Sequence, residues 1–268
     1  MTQKNMQDNA ASQASQASQA EQFCTFELPQ LLIMQKKTAP AASDAFDAPD
    51  ISAFQEACLL VSGGRAPAGS WLQEMAAGRD VWAVDHGLDA CRKAGILPDR
   101  LIGDGDSAKP ASWQWAKEQN VPIAKFPVEK DDTDTQLALK MAKGAGFPAA
   151  IVTGAFGGRF DHALSTMMSC AFAPLPCLVS DERETLVFVR GGETLQVTPK
   201  IAPKAISLLP FTAVCEGVTL QGTHWPLKNA VLTQKSMRAV SNVLEKGHDS
   251  LTISLEDGLL GLCFVWKE

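Results

Sequence analysis

Two carboxylates, Asp104 and Asp106, lie two residues apart in the run Ile102-Gly103-Asp104-Gly105-Asp106-Ser107, directly after a short apolar stretch. In extended chain that spacing puts both side chains on one face. Gly103 and Gly105 add backbone freedom and room for a ligand to approach. A second acidic group follows at Glu129-Lys130-Asp131-Asp132-Thr133-Asp134. Packing several anions together is costly without a cation, and hard oxygen donors favour magnesium, which retains waters and binds substrate phosphates as well. The pair of clusters therefore predicts magnesium with a nucleotide. A third segment runs from Thr153 through Gly154, Gly157, Gly158, Arg159 and Asp161 to His162. Its glycines let backbone approach phosphate, Arg159 offers a planar fork of donors, and Asp161 is suited to binding metal or holding Arg159. The glycines do not follow the order of a P-loop, and no G-x-G-x-x-G opens a first βα unit, so ordinary P-loop kinases and Rossmann dehydrogenases lose support.

These segments need elements to hold them. Short apolar runs at 58–61, 81–84, 101–102, 121–126 and 149–152 read as buried strands. Between them, helices are expected near 70–77, 87–94, 110–119, 133–145 and 161–171, several entered through Ser, Asp or Pro. This alternation implies an α/β layer with a mostly parallel, Rossmann-like sheet flanked by helices. In such a sheet ligands bind beyond the carboxyl ends of the strands. All three segments fall there, as do Ser62-Gly63-Gly64-Arg65 and Asp85-His86-Gly87. From residue 176 the texture changes to closely spaced strands separated by Gly, Pro, Asp and Asn, which reads as an all-β sandwich. Residues 1–22, rich in Gln, Ser and Ala, have almost no apolar surface to bury and read as a disordered low-complexity tail. The expected division is thus 1–22, an α/β domain over 23–175, and a β-sandwich over 176–268.

Composition sets the bounds. Of the 268 residues 46% are hydrophobic and 20% charged, which fits a globular chain with a sizeable core. The net charge of −6 disfavours sequence-independent binding to nucleic-acid backbones, which depends on Lys and Arg. Seven scattered cysteines without a C-x-x-C pair point to free thiols and a reducing compartment. No run approaches the ~20 apolar residues of a membrane span, and the N-terminus lacks a secretory pattern, so the cytoplasm is expected.

In order and spacing, Asp85-His86-Gly87, Ile96-Leu97-Pro98-Asp99, Gly103-Asp104-Gly105-Asp106-Ser107, Lys130-Asp131-Asp132-Thr133-Asp134 and Gly158-Arg159-Phe160-Asp161-His162 resemble the motif series of thiamin pyrophosphokinases. The resemblance continues through Gly217-Val218-Thr219-Leu220, His224-Trp225-Pro226-Leu227 and Ser241-Asn242. It implies transfer of the pyrophosphoryl unit of ATP to the hydroxyl of thiamin, giving thiamin diphosphate and AMP. It also implies a homodimer, with an α/β domain for ATP, a β-sandwich for thiamin, and active sites formed between subunits.

Carried onto this chain, the resemblance makes Asp104, Asp106 and Asp134 the magnesium and phosphate site. Asp131, Arg159 and Asp161 join them as catalytic residues. Asp85, Gly87, Ser107, Lys130, Thr133, Gly157, Gly158 and His162 are implied on the nucleotide side, and Trp225, Ser241 and Asn242 against thiamin. An aromatic face suits a cationic thiazolium. His86 stands where a second glycine is common in the family, and Ala239 where some members carry a hydroxyl residue. Two other outcomes stay open at this stage. The aspartates would serve another hydroxymethyl heterocycle, such as a pterin, equally well, and a pocket without turnover would make a thiamin or nucleotide sensor.

Overall fold

The computed structural model describes residues 23–36, 50–103, 108–126 and 131–267. The chain opens with a hairpin, β1 (Phe23–Glu27) and β2 (Leu31–Lys36), followed by a 3-10 turn at Ile51–Glu56. An alternating stretch comes next: β3 (Cys58–Val61), α1 (Gly69–Ala76), β4 (Val81–Val84), α2 (Gly87–Ala94), β5 (Arg100–Ile102), α3 (Pro110–Glu118), β6 (Ile123–Ala124), α4 (Asp134–Gly144), β7 (Ala150–Thr153), α5 (Phe160–Ala171) and β8 (Cys177–Ser180). The rest is strand: β9 (Glu184–Arg190), β10 (Thr194–Pro199), β11 (Ala205–Pro210), β12 (Val214–Gln221), β13 (Leu227–Thr233), β14 (Leu251–Ser254) and β15 (Leu259–Val265).

Local chemistry explains several boundaries. Thr133 and Gln136 form a capping box that opens α4, satisfying amide groups that a helix start leaves unpaired. Pro110 occupies the first turn of α3, where its missing N–H costs nothing. Gly95 closes α2 with a left-handed φ of 70°, a conformation glycine adopts without strain.

The central layer is a nine-stranded mixed sheet in the order β11-β15-β9-β8-β7-β3-β4-β5-β6. From β8 to β6 the strands run parallel, whereas β9, β15 and β11 extend the sheet antiparallel. Successive residues of the parallel strands face opposite sides. Leu59 and Val61 pack with Leu72 of α1, Leu88 of α2 and Ala116 of α3, while Cys58 and Leu60 pack with Leu139 of α4 and Cys170 of α5. Full burial of one such leucine contributes on the order of 2 kcal/mol. A six-stranded antiparallel sheet, β1-β2-β10-β14-β12-β13, shares the first of these cores through Ile33, Val197 and Ile253.

The expected boundary near residue 175 is crossed in both directions. The hairpin at 23–36 joins the six-stranded sheet through pairing of β2 with β10, and β8, β9, β11 and β15 continue the nine-stranded one. The reason is local: β8 adds parallel to β7, and a tight turn around Asp181 folds β9 back onto β8. The sheet therefore grows past the last helix before the second sheet is made. The strand expected at 121–126 is reduced to Ile123–Ala124. All seven cysteines are free, and no helix among the described residues is long and apolar enough to cross a membrane.

Candidate active site

After β3 the chain builds outward to β4, β5 and β6, then returns so that β7 lies on the other side of β3. That reversal leaves a crevice at the carboxyl ends of β3 and β7. The two loops flanking it are laced together by backbone bonds from Ser62 N to Thr153 O (2.8 Å), Gly64 N to Gly154 O (2.6 Å) and Arg65 N to Phe156 O (2.6 Å). A cavity of about 630 Å³ opens over them, and four carboxylates line it: Asp85 after β4, Asp132 and Asp134 at the start of α4, and Asp161 at the start of α5. Arg159, His162, Thr133, Gly157 and Gly158 also line it.

Asp85 sits at a left-handed φ of 48°, a conformation that aspartate tolerates better than most residues but that still carries strain. Gly157 and Gly158 turn the β7 loop with φ of 65° and 72°. Arg159 donates from Nη2 to Asp161 Oδ2 (2.6 Å) and from Nε to Asp161 Oδ1 (3.2 Å). The Arg159 guanidinium holds the Asp161 carboxyl below the usual carboxylate range. Both side chains are largely exposed, at 73% and 63%, so this pair is oriented toward the cavity without anchoring the fold.

Arg65, grouped with the crevice from its Ser62-Gly63-Gly64-Arg65 setting, turns away from it. Its guanidinium binds the fully buried Asp181 and the half-buried Glu184, each at 2.6 Å. Burial works against its charge, but the hydrogen bonds to Glu184 and Asp181 hold its pKa above the ordinary value. Gly87 is also absent from the cavity wall: a side chain there would run into the Val61 carbonyl, so this glycine brings α2 down onto β3. Asp131 is exposed and does not line the cavity, whereas its neighbour Asp132 does, held by Lys140 Nζ at 2.7 Å. Asp104, Asp106, Ser107 and Lys130 lie outside the described residues.

A second cavity, about 500 Å³, belongs to the antiparallel strands. It is walled by Leu208 and Leu220 and rimmed by Trp225, Arg238, Ser241 and Asn242. Asn242 is a buried clamp. Its Oδ1 accepts from Trp225 N (3.1 Å) and Val243 N (2.9 Å), and its Nδ2 donates to Trp225 O (2.8 Å). Trp225 is thus fixed through its backbone while the residue stays 59% exposed. Ser241 takes a left-handed φ of 60° and donates its N–H to Ser207 Oγ (3.0 Å).

Comparison with known sequences separates these two regions in the same way. The family model "Thiamin pyrophosphokinase, catalytic domain" matches residues 73–174, and "Thiamin pyrophosphokinase, vitamin B1 binding domain" matches residues 193–260. The chain belongs to the thiamin pyrophosphokinase family. A thiamine pyrophosphokinase of Bacillus subtilis is 28% identical over 180 residues, covering 66% of this chain and 83% of the relative. The crystal structure of thiamine pyrophosphokinase from Bacillus subtilis superposes with a TM-score of 0.70 at 23% identity, over 80% of this chain and 100% of that one. The structure from Geobacillus thermodenitrificans gives 0.68 at 26% identity, over 79% and 98%.

Within this thiamin pyrophosphokinase fold, the first match contains Asp85, Asp132, Asp134, Arg159 and Asp161, and the second contains Trp225, Arg238, Ser241 and Asn242. Sequence reasoning counted Asp132 in the second acidic group without giving it a site role, and it passed over Arg238. No local signal separates Asp132 from Asp131, because which one faces the cavity depends on how the capping box orients the entry to α4. Arg238 lies in a stretch without regular pattern, and its Nη2 donates back to Val231 O of β13 (2.9 Å).

Proposed function

We propose that the chain catalyses transfer of the pyrophosphoryl group of ATP to the hydroxyl of thiamin, giving thiamin diphosphate and AMP, and that it does so as a cytoplasmic enzyme. The observation that carries this reading is the coincidence of family and geometry. The stretch matching the catalytic domain lines a cavity of carboxylates, and the stretch matching the vitamin-binding domain lines an aromatic-rimmed apolar one. A pterin-like acceptor or a non-catalytic sensor loses ground because both halves of the family are present.

The residues on the first cavity suit magnesium by their chemistry: Asp85, Asp132, Asp134 and Asp161 are all hard oxygen donors. Among the described residues no three His, Cys, Asp or Glu side chains converge into a metal site by themselves. We assign the ion to Asp134 together with Asp104 and Asp106. When bound, it would neutralise phosphate charge. Arg159, held in its fork by Asp161, offsets negative charge on the transferring group, and the glycine turn at Gly157 and Gly158 lets backbone approach phosphate. Trp225 offers its exposed face to the thiazolium ring. The thiamin oxygen attacks the β-phosphorus, AMP leaves with the α,β-bridging oxygen, and the hydroxyl proton passes to one of the carboxylates that line the cavity.

The two cavities share no lining residue, which supports a homodimer whose active sites combine the aspartates of one protomer with the thiamin pocket of its partner. The apolar stripe Phe160, Leu164, Met168 and Phe172, spaced by four along α5 and its C-terminal cap and exposed, gives such a dimer a surface to bury. Incubating the chain with ATP, magnesium and either thiamin or a pterin alcohol tests the reading. AMP release is expected with thiamin alone. Equal release with the pterin, or thiamin binding without any ATP consumption, overturns it.

A further inference from the structure

The loop after β3 grips the glycine turn after β7 at two residues. Gly64 N and Arg65 N donate to Gly154 O and Phe156 O, each at 2.6 Å. A Cβ at Gly64 would meet the same two carbonyls, at 2.6 and 2.9 Å, so glycine is what lets the loops close on each other. The side chain of Arg65 continues the contact. Its Cζ stands 5.8 Å from the centre of the Phe156 ring, and its stem lies so near Gly157 that a Cβ there would come within 3.2 Å of Arg65 Cβ. Gly157 and Gly158 then turn the chain with left-handed φ, and Arg159 follows directly. Among the described residues the Arg159 side chain is held only by Asp161, two residues further on, so its place in the cavity depends on the backbone that carries it.

The far end of Arg65 is braced from the other side. Nε and Nη2 donate to Asp181 Oδ2 at 3.1 and 2.6 Å, and Nη2 donates to Glu184 Oε2 at 2.6 Å. Asp181 is itself fixed: its Oδ1 accepts from the backbone of Arg183 and Glu184 at 2.8 Å each, and its carbonyl accepts from Gln30 Nε2 of the N-terminal hairpin at 2.9 Å. Lysine, a point charge on a flexible stem, does not reproduce a guanidinium forked between two carboxylates. Arg65, Asp181, Glu184 and Gln30 all lie outside the two stretches that match the family models, whereas Phe156, Gly157 and Arg159 lie inside the first. We propose that Arg65 is a positioning residue for the transfer reaction: braced by Asp181 and Glu184, it fixes the turn from Phe156 to Gly158 and so sets where Arg159 presents its guanidinium to the transferring group; this rests on the pyrophosphoryl-transfer reading above. A displacement of about 1 Å in a group that must meet the transition state is enough to lower the rate by a large factor.

A double-mutant cycle on kcat with Arg65→Lys and Arg159→Ala tests the assignment, because a residue that acts through Arg159 has nothing left to position once that side chain is gone. In the otherwise wild-type chain Arg65→Lys should lower kcat about tenfold and leave the KM for thiamin as it was. In the Arg159→Ala background the same change should lower kcat by less than about twofold. A general weakening of the fold would instead lower kcat by one factor in both backgrounds, and that result overturns the assignment while the transfer reading stands. Arg65→Met combined with Asp181→Asn removes the cation and its buried partner together, so that no buried carboxylate is left unpaired if the single change fails to fold. This double variant should turn over about tenfold more slowly than the wild type. Wild-type turnover in it would mean that Arg65 only neutralises Asp181, which also overturns the assignment. If the wild type forms no AMP from ATP and thiamin, the transfer reading falls and takes the assignment with it.

Discussion

The aspartate cavity and the Trp225 cavity occupy one chain but are built from different parts of it. The first is made of loops past the ends of parallel strands, laced by main-chain bonds such as Gly64 N to Gly154 O at 2.6 Å. Because the backbone holds these loops, side chains such as Arg159 and Asp161 are spared from packing and stay exposed. The second is made of side chains that are themselves core: Ile206, Leu208 and Leu220 line the cavity and are almost fully buried. Substituting a charged residue in the first should therefore alter chemistry and leave the fold alone. Substituting a wall residue in the second should disturb both, except at exposed positions such as Trp225.

The sharpest way to break this contrast is Asp134→Asn. It keeps the size of the side chain at the start of α4 and removes the charge from the cavity. Turnover should fall by about 10²–10³-fold, the usual effect of deleting one preorganised charge-stabilising group, with the thermal midpoint almost unmoved. Magnesium-dependent AMP production at the wild-type rate would show that Asp134 has no part in the site.

The same contrast explains what the sequence made legible. The loops of the aspartate cavity are local: strand, glycines, acids and helix follow one another within a few residues, so Asp85, Asp134, Arg159 and Asp161 could be placed at strand ends from pattern alone. The strand pairings that divide the second half between two sheets are long-range. Nothing near Leu31 announces that β2 will pair with β10 some 160 residues later in the chain. Arg65 shows the limit within the readable region, since a cation beside a glycine turn has the signature of a phosphate contact. Only the folded chain brings the buried Asp181 against it.

Glu193 lies where the two sheets meet. At the entry to β10, its Oε1 accepts from Gln35 Nε2 on β2 (3.2 Å) and its Oε2 from the backbone of Arg190 at the end of β9 (2.7 Å). Burial pushes its carboxyl up to about 7, against which the Arg190 amide and charge and the Gln35 amide pull back only partly. Because the folded state holds this proton more tightly, the stabilising contribution is complete below about pH 4.5 and is lost as the pH rises through about 7. The loss amounts to roughly 3 kcal/mol by pH 8. Chemical unfolding at pH 5 and pH 8 should show this decline in the wild type and a flatter profile in Glu193→Gln. Parallel profiles would remove Glu193 from the joint between the sheets.

The smallest expected effect is at Trp225, and it separates binding from packing within the second cavity. Asn242 holds the Trp225 backbone from both sides, so truncating the ring leaves the loop in place. The residue is 59% exposed and its ring packs edge-on against His224 at 4.6 Å, which limits what its loss costs the fold. Attraction between a partly solvated aromatic face and a cationic ring amounts to about 0.5–2 kcal/mol. Trp225→Ala should then raise the KM for thiamin by roughly tenfold at most, with Trp225→Phe falling between it and the wild type, and the KM for ATP unchanged. A rise in both constants, or a large drop in thermal midpoint, would mean that the ring is packing as the leucines behind it are, and that the contrast between the two cavities does not extend to this residue.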